Sequence, residues 1–208
     1  MLASKYPTVQ FLAGDFVISA GSVLFRQTPS CELEICLLES AARNEWVLPK
    51  GRKDRSESIE NTAVRETLEE TGYPCELWPL RMPTRAPTPG DTSGEDVVKI
   101  AEKLVEPIAI TVRDLRDKGA KIIWWYITRT TGQERIAESQ TAYEAYKARF
   151  MEPAVAIERL TYQNDREIVQ RAWDIVSGSR TLSIGNKGTI FDDNSSIFNI
   201  FYDSVGSE

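Results

Sequence analysis

Three glutamates, Glu66, Glu69 and Glu70, crowd into little more than one turn of a segment that reads as a helix, and they restrict how that helix can be placed in any fold. The segment runs from Ser58, a suitable N-cap, to Thr71, with Gly72 where a left-handed C-terminal residue is expected. At about 100° per residue counted from Ile59, Val64, Leu68 and Thr71 fall between about 120° and 180°. That arc suits packing on a sheet. Glu69, Glu66 and Glu70 fall between about 280° and 20°, on the far side, and Arg65 at about 240° reaches Glu69 at i,i+4. The sequence therefore predicts a helix laid on a sheet with its acidic flank turned to solvent.

Like charges three and four positions apart cost a few tenths of a kcal/mol each on an open helix, and more where they are partly buried. A hard divalent cation removes that repulsion, because Mg²⁺ takes oxygen ligands from a few carboxylates and from substrate phosphates. For an arbitrary E-x-x-E-E helix the simpler reading is a solvated acidic face. Here the helix follows a stretch, Lys50 to Ser56, that reads as a polar loop and opens Lys50-Gly51-Arg52-Lys53-Asp54-Arg55, four cations in six residues. Gly51 lets backbone approach a ligand closely. Cations beside clustered carboxylates are what a phosphate–metal–carboxylate arrangement requires.

Composition narrows the chemistry further. The 208 residues include no histidine, which excludes Ser-His-Asp and Cys-His catalysis and His-ligated zinc. With 25 Lys and Arg against 31 Asp and Glu, the net charge is −6, which argues against generic nucleic-acid binding. Cys31, Cys36 and Cys75 form no C-x-x-C pair, and no window has the roughly 20 apolar residues of a membrane span. The expectation is a cytoplasmic or nuclear protein with reduced thiols.

The elements around the acidic helix point to one α/β domain over 1–176. Strands are expected at Asp15–Arg26, Glu34–Glu39, Glu45–Leu48 and Cys75–Leu80, then near Glu106–Val112 and Lys121–Arg129. Residues 81–97, rich in Pro and Gly, read as an inserted surface loop that carries Arg81 and Arg85. Ala142–Phe150 is helical in composition. Asn164–Val176 closes the domain as an amphipathic helix, with Ile168, Val169, Ala172, Trp173 and Val176 on one stripe. Trp124-Trp125-Tyr126 should alternate between the two faces of a strand. Residues 177–208, without a clear period, read as a tail or arm.

The stretch Gly51–Tyr73 resembles the Nudix box, G-x5-E-x7-R-E-U-x-E-E-x-G-U, where U is a bulky apolar residue. Gly51, Glu57, Arg65, Glu66, Glu69, Glu70 and Gly72 all match, while Thr67 stands where the family usually has an aliphatic residue and Tyr73 is an aromatic final U. The resemblance implies an α/β/α sandwich around a mixed β-sheet, and hydrolysis of a phosphoanhydride with Mg²⁺ or Mn²⁺. It implies Glu66, Glu69, Glu70 and the carbonyl of Lys50 as metal ligands, and Glu66 or Glu70 as an acceptor of the water proton. Arg65 would orient the glutamates, with Glu57 and Gly72 supporting the site. Lys50, Gly51, Arg52 and Lys53 would contact the small-molecule polyphosphate. A base outside the box stays open, and Glu134, Glu138 and Glu144 are candidates for an extra ligand.

Trp46-Val47-Leu48-Pro49-Lys50-Gly51, with Ser19-Ala20-Gly21 upstream, is similar to the subgroup acting on dinucleoside polyphosphates and diphosphoinositol polyphosphates. The alternatives are a nucleotide-sugar or ADP-ribose pyrophosphatase and a non-catalytic binding or regulatory protein of the same fold. Capped RNA is the one nucleic acid that stays on the substrate list. Oligomeric state is left open.

Overall fold

A computed structural model describes residues 5–178, apart from 41, 91, 93, 95, 133 and 137–145. The expected C-terminal tail therefore lies, from residue 179 onward, outside the described residues, as do Glu138 and Glu144. No described helix is long and apolar enough to cross a membrane.

The frame is a mixed sheet built on β1 (Phe16–Gln27), whose β-branched and aromatic residues favour extended backbone. On one side β1 pairs antiparallel with β2 (Leu33–Ser40) and with β4 (Lys50–Arg52). On the other it runs parallel to β9 (Ala120–Thr130), in register from Phe16 opposite Ala120 to Phe25 opposite Arg129. Beyond β2 lie β3 (Glu45–Val47) and β10 (Tyr146–Met151). The far side of β9 is shared by β5 (Cys75–Leu77) and β8 (Ala109–Asp114). A second sheet of two strands pairs β6 (Leu80–Thr84) with β7 (Lys99–Leu104).

Helix α1 (Ile59–Thr71) covers one face of the main sheet, and α2 (Pro153–Arg159) and α3 (Gln163–Val176) cover the other, which is the expected α/β/α sandwich. Alternation along β1 divides the two cores. Val23 and Phe25 join Ile123, Trp125 and Ile127 against Ile168, Val169, Ala172 and Ile175 of α3. Ala20 joins Ala63 of α1 and Tyr126, with Trp124 beside them. The aromatic triplet thus alternates as expected, with Trp125 on the α3 side and Trp124 and Tyr126 on the α1 side.

Four expectations need correction. Residues 146–150 are strand, not helix, since six residues from Tyr146 pair with β2, and residues 142–145 lie outside the described residues. The expected loop at 81–97 begins as β6, and the cations of Arg81 and Arg85 pair with Glu102 at 3.0 Å and Asp96 at 2.6 Å. Polar Lys50–Arg52 is a short strand because β1 offers partners from Ser19 to Gly21.

The fourth correction concerns α1. Its buried residues are Thr62, Ala63, Thr67, Glu70 and Thr71, while Val64 and Leu68 are only half-buried. The helix is rolled by roughly 100° from the amphipathic expectation. Hydroxyls decide the roll. Ser22 of β1 meets Thr67 Oγ1 at 2.7 Å and Thr128 Oγ1 at 2.7 Å, joining β1, β9 and α1 in one buried chain. A buried hydroxyl with a partner is cheap and one without is not, so the threonine stripe packs where the sheet supplies a serine.

Candidate active site

Helix α1 is fixed at both ends as the sequence requires. The Ser58 hydroxyl accepts the Asn61 N–H at 3.1 Å, and Gly72, with φ of 80°, closes the helix by donating its N–H to the Leu68 carbonyl at 2.7 Å. The roll has a consequence for the acids. Glu70, placed by periodicity on the solvent flank, is 7% exposed and turned toward β4, and its Oε2 accepts the Lys50 backbone N–H at 2.7 Å. Glu66 packs against β4 beside it, and Glu69 is the most exposed of the three.

Arg65 gathers the rest. Its Nε donates to Glu57 Oε1 at 2.8 Å, and one terminal nitrogen reaches Glu57 Oε2 and the Arg52 carbonyl, each at 2.9 Å. The other terminal nitrogen donates to Glu66 at 2.7 Å and Glu69 at 3.0 Å. One planar fork thus holds three carboxylates and one strand carbonyl, which only a guanidinium can do. Hydrogen bonds from Arg65 hold the Glu57 carboxyl down at about 2, helped by the Asp54 N–H and the Thr62 hydroxyl. In return Glu57 and Glu66 keep the Arg65 guanidinium firmly protonated.

Gly51 makes room for a contact, not for a turn. A Cβ there would overlap the Glu66 carboxylate, so the acid rests directly on the β4 backbone. Lys50 and Arg52 flank this glycine and project to the opposite face of the sheet. The structure therefore brings together Lys50, Gly51, Arg52, Glu57, Arg65, Glu66, Glu69 and Glu70, with Gly72 closing the helix that carries the acids. Lys53 joins less directly: its backbone N–H bonds the Ile18 carbonyl, and its ammonium turns to the Asp54 carbonyl at 2.9 Å. Glu134 is exposed.

Among the described residues no three acidic side chains converge closely enough to enclose an ion by themselves. The donor set still fits Mg²⁺ or Mn²⁺. All donors are hard oxygens, and Mg²⁺ keeps several waters, needing one or two carboxylates plus substrate phosphates instead of a closed cage.

Four residues near the site lie outside the box, and three of them, Arg113, Lys121 and Asp165, carried no motif. Arg113 of β8 and Lys121 of β9 stand opposite one another in register, and Asp165 at the start of α3 is 5% exposed. With Tyr162, Lys50, Arg43 and others, Arg113 and Asp165 line a cavity of about 420 Å³. Ser19, directly opposite Arg52, is fully buried, and its hydroxyl has no partner among the described residues. Only the strand register and the docking of α3 bring them together, because they come from four separate elements.

The model of the NUDIX domain matches residues 16–172. Among curated relatives, an 8-oxo-(d)GTP phosphatase of Mycolicibacterium smegmatis is 23% identical over 181 residues, 83% of this chain and 46% of that protein. The RxLR effector protein CRE5 of Phytophthora infestans is 46% identical over 57 residues, 26% of this chain and 22% of that protein. The chain thus spans less than half the length of either. Among solved structures, a NUDIX family hydrolase from Clostridium perfringens superimposes with a TM-score of 0.52 at 17% identity, covering 78% of this chain and 98% of that one. The M. smegmatis Nudix hydrolase RenU gives 0.50 at 15% identity, covering 79% and 88%. These likenesses concern the fold, and the match to the family model runs from the first residue of β1 into α3: the chain belongs to the NUDIX domain family.

Proposed function

We propose that this chain hydrolyses a phosphoanhydride bond, with Mg²⁺ or Mn²⁺, in a dinucleoside polyphosphate or a diphosphoinositol polyphosphate. The observation that carries the reading is the grip of Arg65 on Glu57, Glu66 and Glu69 while Glu70 turns to the Lys50 N–H. A helix selected for stability alone would not keep three acids around one arginine and then bury a fourth against the strand beside them. The metal, when bound, supplies charge neutralisation at the phosphates and acidifies the attacking water.

The chain's own groups do the rest. Glu66, Glu69, Glu70 and the Lys50 carbonyl would hold the metal. Arg65 fixes the rotamers of Glu66 and Glu69, so the oxygens are positioned before substrate arrives. Glu66 or Glu70 accepts the proton of the attacking water, which histidine cannot do here because there is none. Lys50, Arg52 and Lys53 offer positive charge to the phosphates.

The test is product analysis with Mg²⁺ across dinucleoside polyphosphates, diphosphoinositol polyphosphates, nucleotide sugars, ADP-ribose and capped RNA. Cleavage of one of the first two classes is expected, lowered by roughly 100-fold or more in Glu70→Gln with the fold intact, in line with the loss of a charge-stabilising group. A wild type that cleaves no anhydride, or a Glu70→Gln variant of full activity, overturns the reading.

A further inference from the structure

Some of this protein's surface arginines are paired with acids. Arg26, Arg81, Arg85, Arg129 and Arg149 each have a carboxylate within 3.4 Å. Lys50, Arg52, Lys121 and Arg113 do not: among the described residues no carboxylate lies within 4.0 Å of any of the four. All four project from one face of the sheet. Arg52 is opposite Ser19 and Lys50 opposite Gly21, while Lys121 is opposite both Val17 and Arg113. Residues paired directly across strands share a face, and 17, 19 and 21 alternate onto the same one. The four cations cross three strand spacings, about 14 Å, from β4 through β1 and β9 to β8.

This arrangement is unfavourable in the absence of a counter-charge. Burial and the neighbouring cations Lys50, Arg113 and Arg52 lower the Lys121 ammonium below its usual range, with Glu70 the one nearby acid acting the other way. Asp165, across the cavity, feels Arg113 and Lys50 but pairs with neither. In a chain of net charge −6, four crowded cations with no carboxylate in contact are a site for an anion from outside.

We propose that Lys50, Arg52, Lys121 and Arg113 form a second anion subsite, on the sheet face opposite the α1 glutamates, that selects substrates carrying phosphate groups beyond the anhydride that is cut. This deepens the hydrolase reading and rests on it for the word substrate, but the subsite binds without any metal. Its span exceeds one phosphate, so a linear polyphosphate chain and a polyol ring bearing several phosphates are the two ligand forms that fit.

The experiment is calorimetric titration in EDTA with inositol hexakisphosphate, which has no anhydride to cleave, and with inorganic tripolyphosphate. Wild type, Arg113→Ala, Lys121→Met and the double variant are compared, and folding is checked by circular dichroism. Wild type is expected to bind at least one probe, with affinity falling by about tenfold or more in the double variant and with a weaker salt dependence. A preference for hexakisphosphate assigns the ring, and one for tripolyphosphate the chain. Should Lys121→Met fail to fold, Arg113→Glu, at an exposed residue, carries the same expectation. No binding of either probe, or equal binding by the variants, overturns the subsite even if wild type cleaves anhydrides. Binding that the variants lose, with no anhydride cleaved, leaves the subsite standing and overturns the hydrolase reading instead.

Discussion

Glu57 shows how one side chain can serve the site without touching a ligand. Both its oxygens face Arg65, and Oε2 also takes the Asp54 N–H and the Thr62 hydroxyl, so it ties the loop before α1 to the arginine that holds the other acids. Its carboxyl titrates at about 2 in the folded protein against a usual 4.5. The sign follows from linkage: above pH 4.5 the group is ionised in both states and the pairing contributes fully. As pH falls below that, the unfolded chain takes up a proton that the folded one refuses, and the contribution is gone near pH 2. Compared with Glu57→Gln, wild type should therefore be more stable by an amount that is constant above about pH 5 and shrinks to nothing toward pH 2. Denaturant melts of both proteins across that range check it; a gap independent of pH would remove the ion pair from the account.

At the scale of elements, the interface between α1 and the sheet is held by hydroxyls, and this makes an unusual prediction for Thr67. The family resemblance favours an aliphatic residue there, so Thr67→Val looks benign by pattern. The contacts say otherwise. Thr67 Oγ1 lies 2.7 Å from Ser22 Oγ and donates to the Ala63 carbonyl at 2.6 Å, in a fully buried setting. Valine has nearly the same shape but leaves the Ser22 hydroxyl with one partner fewer, at a cost of about 1–2 kcal/mol. For a domain of this size that lowers the melting temperature by roughly 2–8 °C. A thermal melt of Thr67→Val that matches or exceeds wild type would show that the hydroxyl chain does not set the roll of the helix.

The same interface marks what could be read from the sequence. Helix limits were legible, because Ser58 and Gly72 are local signals acting on a few backbone groups. The helix's rotation was not, because periodicity counts carbon, and the sheet beneath α1 offers Ser22 instead of an apolar ridge. β10 was hidden for a related reason: the composition of 142–150 is helical, and only its pairing with β2, more than 100 residues earlier, makes Tyr146–Met151 a strand. In the site, the box residues were legible as a motif, whereas Arg113, Lys121 and Asp165 meet only through register and the docking of α3.

Across the whole molecule, the roll of α1 and the register of β4 place acids and cations on opposite faces of one strand. Gly51 presses against Glu66 on one face while Lys50 and Arg52 leave on the other. An anhydride bound over the end of β4, as proposed, would meet acids on one side and cations on the other, and the two sets should respond to different additives. A divalent cation that binds only the folded state raises stability by RT ln(1 + [L]/Kd), about 2.7 kcal/mol at a hundredfold excess over Kd. With roughly 2–4 °C per kcal/mol for a domain of this size, the melting temperature should climb by about 5–11 °C as Mg²⁺ is raised to that excess. Glu70→Gln should flatten the climb, since Glu70, which links helix and strand through the Lys50 N–H, is one of the proposed ligands. Arg113→Ala, remote on β8, should keep it, because that residue belongs to the cationic face. Melting curves of the three proteins over a series of Mg²⁺ concentrations decide the matter: a climb that Glu70→Gln shares in full would place the ion elsewhere on the surface and detach the acidic cluster from metal binding.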